Sequence, residues 1–150
     1  MKVGFTGTQE GMTVSQFVSF KKVAGGFQNL EYHHGDCIGS DKQSHDIICK
    51  SFPSTWIVIH PPSNPKKRAF CKGDETRPES PYLVRNRDIV NSTKRLIATP
   101  KGEEEPRGGT WSTIRYARKL NRPICIIKPD GSLEFENCTE EQFFNDQIRQ

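Results

Sequence analysis

The chain has 150 residues, a hydrophobic fraction of 33% and a formal net charge of +4. This length suits one domain with one hydrophobic core. No apolar run approaches the roughly 20 residues of a membrane-spanning helix, so we expect no membrane partner. The small positive charge does not by itself indicate a nucleic-acid-binding protein, and nucleic acid is not an expected partner.

The N-terminus and the cysteines both concern the cellular compartment. Met1–Phe5 leads directly into a predicted strand, which leaves no room for a signal peptide and predicts a cytoplasmic location. The five cysteines are odd in number, scattered, and include no Cys-x-x-Cys pair. This pattern favours reduced thiols over a disulfide framework or a zinc knuckle.

Strands and helices alternate along the first 60 residues. The predicted strands are residues 2–6, 29–33 and 54–59, and the predicted helices are residues 13–23 and 40–50. Thr13 is the expected N-cap of the first helix. We expect Val14, Phe17, Val18 and Val23 to share one face of that helix.

A polar, proline-rich loop is predicted at about residues 61–81. A loop of this length is uncommon inside a compact domain and is often a lid or a binding segment. Beyond it we predict helices at 82–91 and 110–119, strands at 95–99 and 123–127, a tight turn at 129–132, and a last short helix capped by Thr139.

These elements predict an α/β fold. Strands that are apolar throughout and alternate with helices are typical of a parallel sheet covered on both faces. We therefore predict a Rossmann-like doubly wound parallel sheet of about five strands, with helices on both faces, forming a single domain over residues 1–150. Ligands of such sheets bind beyond the carboxyl ends of the strands.

The strongest candidate for a phosphate site is the glycine-rich turn that opens the helix at 110–119. Backbone amides of Gly108 and Gly109, with the hydroxyls of Thr110 and Thr113, would surround an anion at a helix N-terminus. Arg85 and Asn86 reach the same edge from the preceding helix, and a guanidinium matches two phosphate oxygens. A surface salt-bridge cluster is the alternative for that arginine.

Two earlier loops supply the remaining candidates. The first contributes Gly7 and Thr8 but lacks the Gly-x-Gly-x-x-Gly fingerprint of dinucleotide-binding proteins. The second, residues 33–41, contributes Gly35, Asp36, Gly39 and Ser40 to the predicted ligand site.

Several potential metal ligands lie in or near the second loop. They are His33, His34, Asp36, Cys37, His45 and His60. Adjacent histidines on a strand point to opposite faces, and no ligand spacing recurs. We therefore predict no metal, and no cofactor.

The segments 35–41, 85–90 and 108–110 occur in an order and spacing that resemble those of a known superfamily. Its members include the DNA-processing A protein, the LOG (Lonely Guy) cytokinin-nucleotide phosphoribohydrolases and the SLOG nucleotide-sensor domains. The resemblance covers most of the chain, from Val3 to Ile127, and implies a nucleotide-like ligand and a homo-oligomer. It also places Arg85 where the LOG branch keeps a catalytic arginine.

One departure separates the chain from the LOG branch. That branch has a glutamate three residues after its Gly-Thr, and the corresponding residue here is Thr113. N-glycosidic hydrolysis needs a positioned carboxylate or an equivalent group. Asp36, Asp41 or one of Glu103–Glu105 would have to replace it.

Three functions follow from these observations. The first is a sensor or sequestering protein that binds a nucleotide or a nucleotide-derived signal, with lysines and arginines of the 61–81 loop closing over phosphate. The second is a nucleoside 5′-monophosphate N-glycosidase with Arg85 and Asp36 as catalytic candidates. The third is single-stranded DNA binding, which requires a broader basic surface than a charge of +4 readily supplies.

Overall fold

The computed structural model describes residues 1–145. The strands are β1 (Lys2–Gly7), β2 (Glu31–His34), β3 (Trp56–Ile59), β4 (Glu75–Thr76), β5 (Arg95–Thr99), β6 (Ile124–Ile127) and β7 (Leu133–Glu136). The helices are α1 (Val14–Ala24), α2 (Ser40–Ser51), α3 (Tyr82–Asn91), α4 (Gly109–Lys119) and α5 (Glu140–Phe144). No helix among these residues is both long and apolar enough to cross a bilayer.

The strands form one sheet in the order β4-β3-β2-β1-β5-β6-β7. All neighbouring pairs are parallel except β6 and β7, which are antiparallel. The order reverses at β1, whose neighbours are β2 and β5. This is the doubly wound, Rossmann-like arrangement that the sequence predicts, and its switch point lies between β1 and β5.

The core forms two layers, one on each face of the sheet. Phe20 of α1, Ile48 of α2 and Phe143 of α5 pack on one face, around Phe5 and Tyr32. The other face is covered by α3 and α4 through Val90, Trp111, Ile114 and Ala117. Helices therefore cover both faces, which explains why every residue of β5 and β6 is buried.

Two strands were missed by the sequence-based prediction of about five. β4 has two residues inside the predicted 61–81 loop, and it pairs with β3 at the edge of the sheet. β7 follows the tight turn at 129–132 and runs back along β6. Its sequence, Leu-Glu-Phe-Glu, alternates apolar and polar residues, as expected for a half-exposed edge strand.

The predicted core face of α1 was also wrong in part. Val14 is 82% exposed, and Phe17 and Val18 are also exposed, whereas Val23 is buried. The helix instead buries Gln16, whose Nε2 donates to the carbonyls of Pro100 and Ile127 at 2.8 and 2.9 Å. This amide ties α1 to the ends of β5 and β6, which orients the helix differently from a purely apolar contact.

Candidate functional site

A cavity with a volume of about 610 Å³ lies at the carboxyl ends of the strands. Its walls come from the loop after β1, the turn after β2, the segment after β3, the start of α3 and the loop between β5 and α4. The cavity includes the switch point between β1 and β5, where a doubly wound sheet binds its ligands.

Most of the predicted ligand-binding residues line this cavity. They are Gly7, Thr8, Gly35, Arg85, Asn86, Gly108, Gly109 and Thr110. Asp36, Gly39, Ser40 and Thr113 do not line it. The structure therefore brings the two glycine-rich loops and the start of α3 together, while it assigns four predicted residues to other contacts.

The N-terminus of α4 opens into the cavity. Its N-cap is Gly108, which has a φ of 107°, in a region that favours glycine, and provides no side-chain cap hydrogen bond. The first amides of a helix have no partner within the helix. By contrast, Thr13 and Thr139 cap α1 and α5, neither of which begins at the cavity.

Asn86 adds a hydrogen-bond donor beside these amides. Its Oδ1 accepts a hydrogen bond from Arg85 Nε at 2.7 Å, and this contact determines the orientation of the amide. The Nδ2 group is therefore on the side of Gly109, where it would lie 3.6 Å from a methyl group added to that glycine. The Asn86 amide group thus lies beside the N-terminus of α4 at the cavity wall.

Arg85 is buried and mainly holds the walls together. It donates through Nη1 to the carbonyls of Gly35 and His60, and through Nη2 to Cys37 Sγ at 3.4 Å. With Nε bound to Asn86, each of its three nitrogens already has a partner in the protein. Arg85 reaches the cavity, but most of its donors connect α3 to the loops after β2 and β3.

Asp36 lies outside the cavity and anchors the 61–81 segment. Its carboxylate accepts from Arg68 Nε at 3.1 Å and from the backbone N–H of Cys71 at 2.8 Å. Its carbonyl accepts from the N–H of Ala69 at 2.7 Å. The residue is fully buried and has a φ of 54°. The contacts of this predicted catalytic candidate are therefore with the 61–81 segment and not with the cavity.

Asp41 is the buried carboxylate that does line the cavity. It lies in the first turn of α2, and its Oδ2 accepts from the backbone N–H of Cys37 at 3.1 Å. Burial raises the pKa of the Asp41 carboxyl to about 6, although the nearby Arg85 guanidinium acts in the opposite direction. The sequence indicated Asp41 only as one of several carboxylates that could replace the missing glutamate, because its burial depends on tertiary packing.

The other three predicted residues support the loops. Gly39 approaches the backbone of Gln9 too closely to accommodate a side chain. Ser40 donates its backbone N–H to the carbonyl of Thr8 at 3.0 Å. Thr113 donates its hydroxyl to the carbonyl of Gly109 at 2.8 Å, which stabilises the first turn of α4.

Charged and aromatic residues surround the cavity mouth. Lys101 and Glu10 form an exposed ion pair at 3.1 Å between the loops after β5 and β1. Lys67, one of the basic residues between 66 and 77, lines the cavity. Tyr82 also lines it, and its ring is half exposed. Trp111 is 8% exposed and contributes to both the core and the wall.

The buried histidines form two pairs on opposite faces of β2, as the strand geometry predicts. His33 Nδ1 lies 2.8 Å from His60 Nε2, and His33 Nε2 lies 2.7 Å from the Glu31 carboxylate. On the other face, His34 Nε2 lies 3.0 Å from His45 Nδ1. Burial lowers the pKa of all four imidazoles.

His34, His45 and Cys71 place three potential ligand atoms within 4.8 Å of one another. The sequence did not reveal this cluster, because Cys71 reaches it from the 61–81 segment. His34 Nδ1, however, accepts the backbone N–H of Asp36 at 3.0 Å, so a neutral His34 carries its proton on Nε2. A histidine that binds a metal normally donates, rather than accepts, through its other nitrogen. This hydrogen bond therefore opposes metal binding by His34.

Comparison with known proteins gives structural matches only. No family model and no curated protein matches the sequence. The molybdenum cofactor binding protein from the phototrophic bacterium Rippkaea orientalis superposes with a TM-score of 0.66 at 18% identity, over 85% of this chain and 76% of that one. At this identity the similarity shows a shared fold.

Two further structures share the fold. A structural-genomics target, TM1055, has a TM-score of 0.59 and 14% identity, with 82% of this chain and 71% of that chain covered. DNA processing protein A from Helicobacter pylori, described for its single-stranded DNA binding mode, has a TM-score of 0.56 and 16% identity. The match covers 84% of this chain and 64% of that protein.

Proposed function

We propose that the protein binds a nucleotide or a nucleotide-derived signalling molecule in the 610 Å³ cavity, as a sensor or a sequestering protein. The observation that carries this proposal is the uncapped N-terminus of α4, which opens into the cavity beside the Asn86 amide. Helix N-termini attract phosphate through their free N–H groups and the helix dipole.

The rest of the cavity supports a ligand larger than phosphate. Its volume is within the range of small-molecule sites. Tyr82 and Trp111 supply aromatic surface against which a base can stack. The similarity in fold to a molybdenum cofactor binding protein, together with the resemblance to the SLOG and LOG superfamily, supports a small anionic ligand.

Substitution of Gly109 tests the phosphate site. A Cβ at this position meets no atom closer than 3.5 Å, and aspartate in the first turn favours a helix. We expect Gly109→Asp to retain its thermal stability but to weaken nucleotide binding by more than about a hundredfold, because like charges would then share the site. Gly109→Asn is the uncharged control, and calorimetric titration with GMP and AMP is the measurement. Equal affinities of the two variants would contradict phosphate binding at the N-terminus of α4.

Hydrolysis is the second candidate function, and Asp41 is the observation that favours it. A carboxyl group with a pKa of about 6 inside the cavity is suited to general acid or base catalysis near neutral pH. Asp41 would then act in place of the glutamate that the LOG branch has and this chain lacks. Release of free base and ribose 5-phosphate, abolished by Asp41→Asn, would establish this function.

We infer a single domain over residues 1–150, supported by one continuous sheet through the described part of the chain. A homo-oligomer is predicted by the resemblance, and the exposed α1 residues Val14, Phe17 and Val18 offer an apolar surface for it. Light scattering at several protein concentrations measures the oligomeric state directly.

A further inference from the structure

Asp41 differs from the other carboxylates that line the cavity. Glu10 and Glu105 are exposed, whereas Asp41 is 6% exposed. It lies at the end of the cavity formed by the turn after β2, and the α4 amides lie beyond β5. Two strand spacings of about 4.8 Å each separate these strands, so a ligand that contacts both ends must extend well beyond one phosphate group.

The hydrogen bonds of Asp41 are incomplete. Its Oδ2 accepts from the Cys37 N–H at 3.1 Å, and the Gly35 amide is the other backbone donor beside the carboxylate. Arg85 is the nearby cation, but it binds Gly35, His60, Cys37 and Asn86 and forms no ion pair with Asp41 within the described chain. An ionised carboxylate can accept about four hydrogen bonds.

This shortage of donors has a chemical consequence. A buried carboxylate without enough donors is costly to ionise. Burial accordingly raises the pKa of Asp41, while Arg85 and the amides of Cys37 and Gly35 lower it and the charge of Asp36 raises it. A ligand that brings an O–H or N–H donor would complete the carboxylate, whereas an anionic group at the same place would be repelled.

We propose that Asp41 accepts a hydrogen bond from an O–H or N–H donor of the nucleoside part of the ligand, while the phosphate binds at the N-terminus of α4. The donor is a ribose hydroxyl or a purine N–H. This inference rests on the proposed function, and it assigns the two ends of the ligand to opposite ends of the cavity. Asp41 thereby becomes the residue that selects a nucleoside over a simple anion.

The direction in which Asp41→Asn changes the affinities for GMP and for phosphate tests this assignment. Calorimetric titrations at pH 7.5 would compare GMP with inorganic phosphate in the wild-type protein, in Asp41→Asn and in Asp46→Asn. Asp46 is an exposed carboxylate on the same helix, paired with Lys42 at 2.8 Å, and serves as the matched charge control. We expect Asp41→Asn to weaken GMP binding about tenfold or more, the value of a hydrogen bond to a charged group. Phosphate binding should stay equal or become tighter, because a negative charge is removed.

Related nucleotides identify the donor. Loss of the preference for GMP over its 2′,3′-dideoxy analogue in Asp41→Asn indicates the ribose hydroxyls, and loss of the preference for GMP over AMP indicates the base. Either result supports the proposal. Unchanged preferences in both comparisons would overturn it.

The pH dependence gives a second readout. Between pH 5 and pH 7.5, the ratio of wild-type to Asp41→Asn affinity for GMP should rise, because the ionised carboxylate is the better acceptor. The phosphate of GMP titrates identically in both proteins, so this ratio isolates Asp41. A ratio that is constant or falls with pH contradicts the proposal.

The outcomes distinguish failure of the proposed role of Asp41 from failure of nucleotide binding itself. If GMP and phosphate both bind more tightly to Asp41→Asn, the carboxylate only repels the ligand, and this inference fails while the proposed function stands. If no member of a panel of nucleotides and signalling nucleotides that includes GMP and AMP binds to the wild-type protein at any pH, the proposed function fails and the inference fails with it.

Discussion

Asp36 and Asp41 are five residues apart and both buried, yet their surroundings differ. Asp36 receives donors from Arg68 and from the Cys71 N–H, and it holds a segment of the fold. Asp41 receives the Cys37 N–H and faces the cavity. Asp36 is paired with a guanidinium outside the cavity, whereas Asp41 has backbone donors and lines the cavity. This difference, and not burial alone, separates a structural residue from a candidate for ligand contact.

The raised pKa of Asp41 predicts a pH-dependent stability difference. The folded protein holds a proton on this carboxyl up to about pH 6, whereas the unfolded chain loses it near 3.8. The stabilising contribution is therefore complete below about pH 4 and is lost as the pH rises through 6. Asp41→Asn should be more stable than the wild type at pH 7 by up to about 3 kcal/mol, from a shift of about two units.

Urea unfolding of both proteins at pH 4, 5, 6 and 7 measures this difference. We expect the advantage of Asp41→Asn to grow from pH 4 to pH 7. A difference that is independent of pH would contradict the proposed environment of Asp41.

The position of the glycine-rich turn was predictable from sequence, because a local pattern was sufficient. The turn at 108–110 follows a strand and opens a helix, and the structure has that arrangement. The inward position of Arg85 could also have been predicted from its spacing of four residues to the buried Ile89. The position of Asp36 outside the cavity could not be predicted, because it depends on Arg68 and Cys71 reaching Asp36 from a distant segment.

At the scale of elements, the 61–81 segment is anchored to the sheet. Besides the contacts of Asp36, the Asp74 N–H donates to the Ile57 carbonyl of β3 and the Arg77 N–H donates to the Ile59 carbonyl, both at 2.8 Å. β4 adds two residues of sheet pairing. The sequence predicted that this segment is a lid or a binding segment. In the structure, residues of the segment, including Lys67, form part of the cavity wall.

Asp36 is predicted to be essential for that anchoring. Asp36→Ala removes the partner of Arg68 and the acceptor of the Cys71 N–H, at a cost of about 3 kcal/mol for a broken buried pair. Asp36→Asn keeps an acceptor and tolerates the left-handed backbone, so its loss should be smaller.

Limited trypsin digestion measures the effect at the basic residues of the segment. We expect cleavage between residues 66 and 72 to accelerate in Asp36→Ala more than in Asp36→Asn. Equal cleavage of the wild type and both variants would show that other contacts hold the segment.

The missed elements have physical explanations. β4 is too short to produce a sequence pattern, and it exists because β3 offers a free edge. The face of α1 was misjudged because a buried Gln16 replaces an apolar residue. β7 was predictable from its alternation, whereas β3 and β6 were predicted correctly because each is a short run of apolar residues.

At the scale of the whole molecule, the four histidines predict instability in acid. Burial lowers the pKa of His33, His34, His45 and His60, the last to about 3. The unfolded chain therefore binds protons near pH 6.5 that the folded protein binds only at lower pH. The stabilising effect of the histidines is present above pH 6.5 and is lost as the pH falls. Asp41 acts in the opposite direction, because its raised pKa lets the folded protein hold one proton that the unfolded chain has lost.

Denaturant unfolding between pH 6.5 and pH 5 measures the balance. We expect the free energy of unfolding to fall by more than about 1.4 kcal/mol per pH unit, the value for one net proton. A flat profile would show that the histidines are charged in the folded protein.

The central claim is that the cavity binds a nucleotide without altering it, and one mass balance tests it most directly. The protein is mixed at equimolar ratio with a panel of nucleotides and signalling nucleotides and then ultrafiltered, and the filtrate and the denatured retentate are compared by chromatography. We predict that one nucleotide is depleted from the filtrate and recovered intact from the retentate. Free base with ribose 5-phosphate would contradict binding alone and support hydrolysis, and a filtrate that contains the whole panel would contradict both.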